Sequence, residues 1–305
     1  MTYAFVLLGL AGLFLGGDWL VRGASGLARG WGLSPLVIGA TVVGFGTSSP
    51  ELLVSLAAAL QGQPGIALGN VVGSNIANLW LILGIAALIA PIAVLRRDVL
   101  RDLGWMTGAT LLLPLALWSG WVGRIEGLLL VAGLAAYILH ALRGPAESAE
   151  LPEGLSRGQT RNAALTLYGL LTIMAGAQLL VQGATDLART FGVSEAMIGL
   201  SIVAVGTSLP ELATTVMAAL RGQRDIALGN ILGSNVFNTL GILGATALIS
   251  PLPVEARFLS FDVPVLIAVS LITVALLWVR HGIGRIGGVL MLAGYAGYIW
   301  WGASL

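Results

Sequence analysis

The chain has 305 residues, a formal charge of +1, 57% hydrophobic and 10% charged residues, and a mean hydropathy of +0.94. A soluble domain carries roughly 25% charged residues, so this composition cannot cover a water-facing surface and points to an all-α polytopic membrane protein. There is no cysteine, which excludes a disulfide scaffold, thiol catalysis and cysteine-ligated zinc. All 15 basic residues are arginine and none forms a basic tail, which argues against nucleic-acid binding.

Apolar runs between charged punctuation predict ten spans, at 3–21, 34–60, 66–90, 102–118, 124–141, 162–182, 194–220, 226–249, 261–279 and 285–303. No positive charge precedes the first, so it reads as a retained helix rather than a signal peptide. Trp19, Trp118, Trp121, Trp278, Trp300 and Trp301 fall near span ends and fit an interfacial belt. With the N-terminus outside, twelve arginines fall in inner loops and three (Arg124, Arg189, Arg257) in outer ones. That asymmetry predicts both termini outside and the polar stretch 143–161 in the cytoplasm.

The chain repeats itself. Residues 46–84 align on 206–244 without a gap at a shift of 160, with 23 identities in 39 positions. The predicted unit holds five spans, an odd number, so the second copy is expected to insert upside down. The expected architecture is ten transmembrane helices in two inverted five-helix repeats, 1–142 and 162–305, joined by the 143–161 linker, with broken helices at the midplane.

The repeated segments are polar where the chain should be deepest in lipid. They read GTSSPE and GTSLPE, followed by GNVVGSNIAN and GNILGSNVFN. Glu51 and Glu211 are the deepest acids, and an ionisable group at that depth costs roughly 2.5–3.5 kcal/mol even on lenient scales. A cation shared by the pair would offset that cost. Pro50 and Pro210 remove a backbone donor beside each carboxylate. The helices should therefore break there, freeing carbonyls around Gly44 to Thr47 and Ala204 to Thr207. Thr47, Ser48, Thr207 and Ser208 add hydroxyls. Ser74, Asn75, Asn78 and Ser234, Asn235, Asn238 offer neutral oxygens, with positions four apart sharing a helical face. The Gly69/Gly73 and Gly229/Gly233 pairs suit close helix packing. Oxygen donors of this kind suit hard cations, and a mixed, flexible set suits calcium better than magnesium. Sodium is of similar size, and two carboxylates balance one Ca²⁺ or two Na⁺.

These motifs resemble the two repeats of the sodium/calcium exchangers in the cation/calcium exchanger superfamily, of the prokaryotic type with a short central loop. The resemblance covers essentially the whole chain. It implies an antiporter in a prokaryotic inner membrane, with Ca²⁺ and Na⁺ as substrates, no cofactor and no obligatory protein partner. It also implies that Glu51 and Glu211 are the central carboxylates. Thr47, Ser48, Thr207, Ser208, Ser74, Ser234 and the carbonyls of Gly44 and Ala204 are further site oxygens by this resemblance, and Asn78 lines the middle. The first and sixth spans would slide across the bundle. One departure stands out: several family members have Asp where this chain has Asn238, leaving two formal charges in place of three, and the potassium-dependent branch fits less well.

Other readings make different demands. Proton-coupled or broader cation exchange would ignore an imposed sodium gradient. A serine hydrolase would need a base beside the GTS hydroxyls, yet His140 and His281 lie at span ends. A channel would show single-channel currents. Asp18, Gln178 and Gln182 are internal polar groups with no role assigned by these motifs.

Overall fold

The computed structural model describes residues 2–93, 97–143, 156–192, 204–279 and 281–302. Helix α1 (Thr2–Trp31) is followed by α2 (Pro35–Thr47) and α3 (Ser49–Leu60), which meet at a 42° bend. Next come α4 (Pro64–Ile89), β1 (Ile92–Ala93), α5 (Arg97–Leu117), β2 (Trp121–Val122) and α6 (Arg124–Leu142). The remainder is α7 (Ser156–Thr190), α8 (Ala204–Gly206), α9 (Leu209–Leu220), α10 (Arg224–Ile249), β3 (Leu252–Pro253), α11 (Phe258–Val279), β4 (Gly282–Ile283) and α12 (Arg285–Gly302).

The protein is all-helical apart from two-residue strand pairings, and its outer surface is apolar. Leu115, Ile125, Leu129 and Ile286 are among many large side chains left exposed, as are the belt tryptophans Trp118 and Trp300. Among the described residues six helices are long and apolar enough to cross a membrane, or seven with the bent pair α2–α3. Two of the three other expected spans depart from that criterion for visible reasons. Helix α5 opens with Arg97, Asp98, Arg101 and Asp102. Helix α9 is a 12-residue piece of the expected span 194–220, whose first part, 194–203, lies outside the described residues. Of the predicted linker 143–161, residues 144–155 also lie outside the description, while 156–161 belong to α7.

The repeat is structural as well as sequential. Shifted by 160, α3 overlays α9 in residue range, β1 overlays β3, and α4 (64–89) overlays α10 (224–249). Both long helices carry a π-helical segment at equivalent places, Ala77–Ile82 and Phe237–Ile242. Helices α3 and α9 both end on glycines in the left-handed region, Gly62 (φ 72°) and Gly222 (φ 68°), a conformation that favours residues without a Cβ. Strands of opposite halves pair antiparallel: Ile92 opposes Ile283, and Val122 opposes Leu252.

The halves interleave. The larger buried cluster takes Leu68, Leu79, Leu83, Met106 and Leu113 from one half and Leu232, Leu240, Leu243 and Leu266 from the other. A second cluster joins Leu20, Val21 and Ala24 of α1 to Ile173 of α7 and Met217 of α9. Helices α1 and α7 meet backbone to backbone. A Cβ on Gly16 would lie 2.7 Å from Ile173 N, and one on Gly9 2.6 Å from Leu180 N. Small residues spaced along a helix permit such approach.

The same logic holds α10 against α2. A Cβ on Gly229 or Gly233 would run into the backbone of Leu36 or Ala40. The expected packing role is therefore observed for this glycine pair. The segment that the repeat places opposite Gly69 and Gly73 lies within 193–203, outside the described residues. Gly233→Val is expected to destabilise the protein by about 2 kcal/mol or more, because overpacking here meets backbone. Gly104→Ala, with no neighbour within 4 Å of its Cβ among the described residues, is expected to be neutral. Thermal unfolding of the two purified variants in detergent checks the contrast.

Candidate functional site

The two broken spans present their carboxylates at the first turn of α3 and α9. Ser48, at φ −86° and ψ 7°, separates α2 from α3, and Ser208, at φ −86° and ψ 4°, does the same before α9. Pro50 and Pro210 follow at a helix start, where a missing N–H costs nothing. Glu51 and Glu211 fall in that first turn with 1% and 0% exposure.

The oxygens around them are incompletely satisfied. Ser48 Oγ donates to Glu211 Oε1 at 2.7 Å, reaching from the first half to the carboxylate of the second. Glu211 Oε2 and both carboxylate oxygens of Glu51 lack a hydrogen bond of good geometry, although Ser208 lies beside Glu51. The amide atoms of Asn78 and Asn238 are all buried and unpartnered, as are the Oδ1 atoms of Asn75 and Asn235. Buried polar atoms are ordinarily paired, so this many orphans around one pair of carboxylates requires a ligand, protons or water.

The hydroxyl donors also cluster here. Thr47 Oγ1 lies 3.1 Å from Val43 O and from Asn230 Oδ1, and 3.3 Å from Gly44 O. Ser208 Oγ is 3.5 Å from Ser74 Oγ, crossing between halves, and Ser234 Oγ donates to Gly44 O at 3.3 Å. Thr207 is half-buried beside Ser208. Asn75 Nδ2 donates to Thr239 Oγ1 at 2.8 Å, and Asn235 Nδ2 to Ile231 O at 2.7 Å. Phe45 and Phe237 pack across the halves, ring centroids 3.8 Å apart.

The expected vacant carbonyls need correction. Gly44 O accepts the Ser48 N–H at 3.1 Å as well as the Ser234 hydroxyl, so the break does not leave it bare. In the second half the Ser208 N–H turns instead to Val205 O, 3.1 Å away, bypassing the Ala204 carbonyl at the start of α8. The halves thus differ at the very carbonyls that were expected to match.

Two residues of the repeated motif were passed over in the sequence. Asn70 Nδ2 donates to Glu51 O at 3.0 Å and Ser55 Oγ at 2.8 Å. Asn230 Nδ2 does the same to Glu211 O at 3.4 Å and Thr215 Oγ1 at 3.0 Å. These amides stitch each glutamate-bearing turn to the neighbouring long helix. The signal was spacing: 70, 74 and 78, like 230, 234 and 238, lie on one helical face. His140 is far from this chemistry, accepting the Trp105 Nε1 proton at 3.1 Å on the exposed surface, and His281 is exposed in a turn.

Among the described residues there is no group of three or more His, Cys, Asp or Glu. A cation held here would therefore depend on two carboxylates supplemented by neutral oxygens. Fold and site together define a helical membrane protein with an oxygen-lined, buried polar centre.

The chain belongs to the sodium/calcium exchanger protein family, which it matches over residues 1–143 and 161–302. It is 38% identical over 309 residues to inner membrane protein YrbG of Escherichia coli (strain K12), covering 97% of this chain and 94% of that one. It is 34% identical over 342 residues to sodium/calcium exchanger MaX1 of Methanosarcina acetivorans, covering 98% and 97%. The fold overlays a solved structure of the sodium-calcium exchanger NCX_Mj, soaked with 10 mM Na⁺ and zero Ca²⁺, with a TM-score of 0.85. That match has 34% identity and covers 98% of this chain and 97% of that one.

Asn230→Leu would leave the Thr47 hydroxyl, the Glu211 carbonyl and the Thr215 hydroxyl short of a partner in a fully buried setting. The expected loss of stability is about 1–3 kcal/mol. Asn70→Leu is expected to cost less, since Asn70 is half-buried and bridges one half only. Unfolding midpoints of both variants measured without calcium test the order.

Proposed function

We propose that the chain is a secondary antiporter that exchanges Na⁺ for Ca²⁺ across a prokaryotic inner membrane by alternating access. The observation that carries this reading is the set of orphaned oxygens on Glu51, Glu211, Asn78 and Asn238, drawn from both repeats and enclosed together in an apolar bundle. Bare carboxylates in such a place are costly, and a bound cation offsets the cost for both at once. Membership of the exchanger family supports the choice of ions.

In this reading Glu51 and Glu211 are the charged ligands. Thr47, Ser48, Thr207, Ser208, Ser74, Ser234, Asn78, Asn238 and the carbonyls of Gly44 and Ala204 complete a site of neutral oxygens. The Gly44 carbonyl already accepts from Ser48 and Ser234, so it would ligate an ion by giving up the Ser234 hydroxyl, while in the second half the Ser208 N–H turns to Val205 O rather than to Ala204. Two negative charges accommodate one Ca²⁺ or two Na⁺, and each ion displaces the other because both draw on the same oxygens. Crossing with the site empty would carry uncompensated charge through lipid, which couples the two fluxes.

The architecture that suits this cycle is ten spans in two inverted halves, 1–142 and 162–305, with 143–161 in the cytoplasm and both termini outside. The strand pairings across halves and the matched broken spans support it, as does the arginine distribution. Inversion lets one set of contacts serve both sides of the membrane in turn.

Calcium uptake into sodium-loaded proteoliposomes tests the proposal. Uptake is expected to follow the imposed sodium gradient; uptake that ignores sodium but follows a pH gradient would replace sodium with protons as the coupling ion. Glu51→Gln and Glu211→Gln are each expected to reduce exchange by at least about 100-fold, since each removes half of the site's charge, while the protein still inserts and purifies. Wild-type rates in either variant would overturn the assignment. Asn238→Asp, which adds a third negative charge, is expected to change the dependence of calcium flux on sodium concentration, read from flux titrations, more than it changes the unfolding midpoint.

A further inference from the structure

Helices α1 and α7 are bound to each other along their glycine faces, and they lean unequally on the broken spans. The repeat relates α1 to α7 and α9 to α3. Helix α1 packs on α9, with Gly17 against Met217, whereas α7 makes hardly any contact with α3. Burial follows the same division. Met217 is 4% exposed while its counterpart at the 160-residue shift, Ala57, is exposed. Asp18 is 8% exposed while its counterpart Gln178 is exposed. One molecule thus holds the same interface closed in one repeat and parted in the other.

Only the closed interface carries charge. The Asp18 carboxylate pairs with Arg22 Nε, 3.0 Å away on its own helix, and with Arg221 across the interface. Arg221 caps the C-terminus of α9, where the helix dipole already favours a cation. The equivalents in the parted interface are Gln178, Gln182 and Gln61, all neutral and exposed. Separating α1 from α9 would strip Arg221 from a nearly buried carboxylate and leave it with Arg22 alone. The mirror separation breaks no ion pair.

We infer that Asp18 and Arg221 form a one-sided ionic latch: they are positioning residues of the transport cycle that hold α1 on α9 and bias the two access states unequally. The inference rests on the alternating-access reading above. A contact made in one state alone shifts the equilibrium by its own free energy. For a pair with partly exposed arginines that corresponds to about a fivefold change in population.

The chain has no cysteine, so a single introduced thiol reports without background. In Met217→Cys the thiol sits under α1 and is expected to react slowly with a maleimide in detergent and Na⁺. Adding Asp18→Asn is expected to raise that rate about fivefold, and Asp18→Glu, which keeps the charge, is expected to restore it. Arg221→Gln installs the residue found at the mirror position, and because its side chain is 43% exposed it leaves the fold unburdened. It is expected to act like Asp18→Asn and keeps the test decisive if that variant fails to fold. Ala86→Cys, buried in the larger cluster, is the control and should not respond.

An unchanged rate at position 217 in both latch variants would overturn the inference, and so would an equal rise at position 86, which signals general loosening. Failure of the parent protein to move calcium in vesicles would count against the exchanger reading, while the labelling comparison would still decide the latch.

Discussion

The structure is organised around the cost of burying two carboxylates, Glu51 and Glu211, to 1% exposure or less with no arginine paired to either among the described residues. Neither oxygen of Glu51 has a hydrogen bond of good geometry, though Ser208 lies beside it, and Glu211 has one, supplied by Ser48 of the opposite half. In an apolar bundle such groups persist only if something held by the same oxygens compensates them. The broken spans follow from that demand: each places its carboxylate at a helix start, where backbone donors are less committed than in the interior. The glycine faces of α10 follow too, because they let the Ser234–Asn238 stripe approach α2 closely enough for Ser234 to bond the Gly44 carbonyl.

Much of this was legible in the residues. The 160-residue duplication marks the two polar segments, and proline beside glutamate marks the breaks. The observed break falls at Ser48 and Ser208, two residues ahead of the prolines, which sit in the first turn of the new helix, where proline is tolerated. What was not legible depends on geometry that spacing does not encode. The Gly44 carbonyl looked vacant because the break was expected to free it, yet it keeps the Ser48 N–H four residues on and gains Ser234 from 190 residues away. Asn70 and Asn230 belong to the quoted motif, yet only their orientation reveals that they brace the glutamate turns. Counting apolar residues ended α1 near residue 21 and began α7 at 162, whereas the helices extend to Trp31 and back to Ser156. Charged residues such as Arg22 and Arg161 interrupt an apolar count but not a helix. The π-helical segments that open just before Asn78 and Asn238 leave no mark in hydrophobic periodicity; such segments are frequent at functional sites.

Duplication here does not mean equivalence. Ser48 bonds Glu211 at 2.7 Å, whereas its counterpart Ser208 lies beside Glu51 without so short a bond and comes within 3.5 Å of Ser74. Asn230 is fully buried and touches Thr47 of the other half, while Asn70 is half-buried and stays within its own. The duplicated unit thus makes different side-chain contacts on each use, so the two halves do not contribute equally to the polar centre.

The short strand pairs carry a consequence for assembly. Each joins a loop of one half to a loop of the other, β1 with β4 and β2 with β3. Both buried clusters likewise draw on both halves. A half synthesised on its own would expose apolar side chains and unpaired loop backbone that only its fellow can cover. The covalent tether between them therefore fixes stoichiometry and proximity during biogenesis, while cohesion of the finished molecule resides in the interlaced contacts themselves.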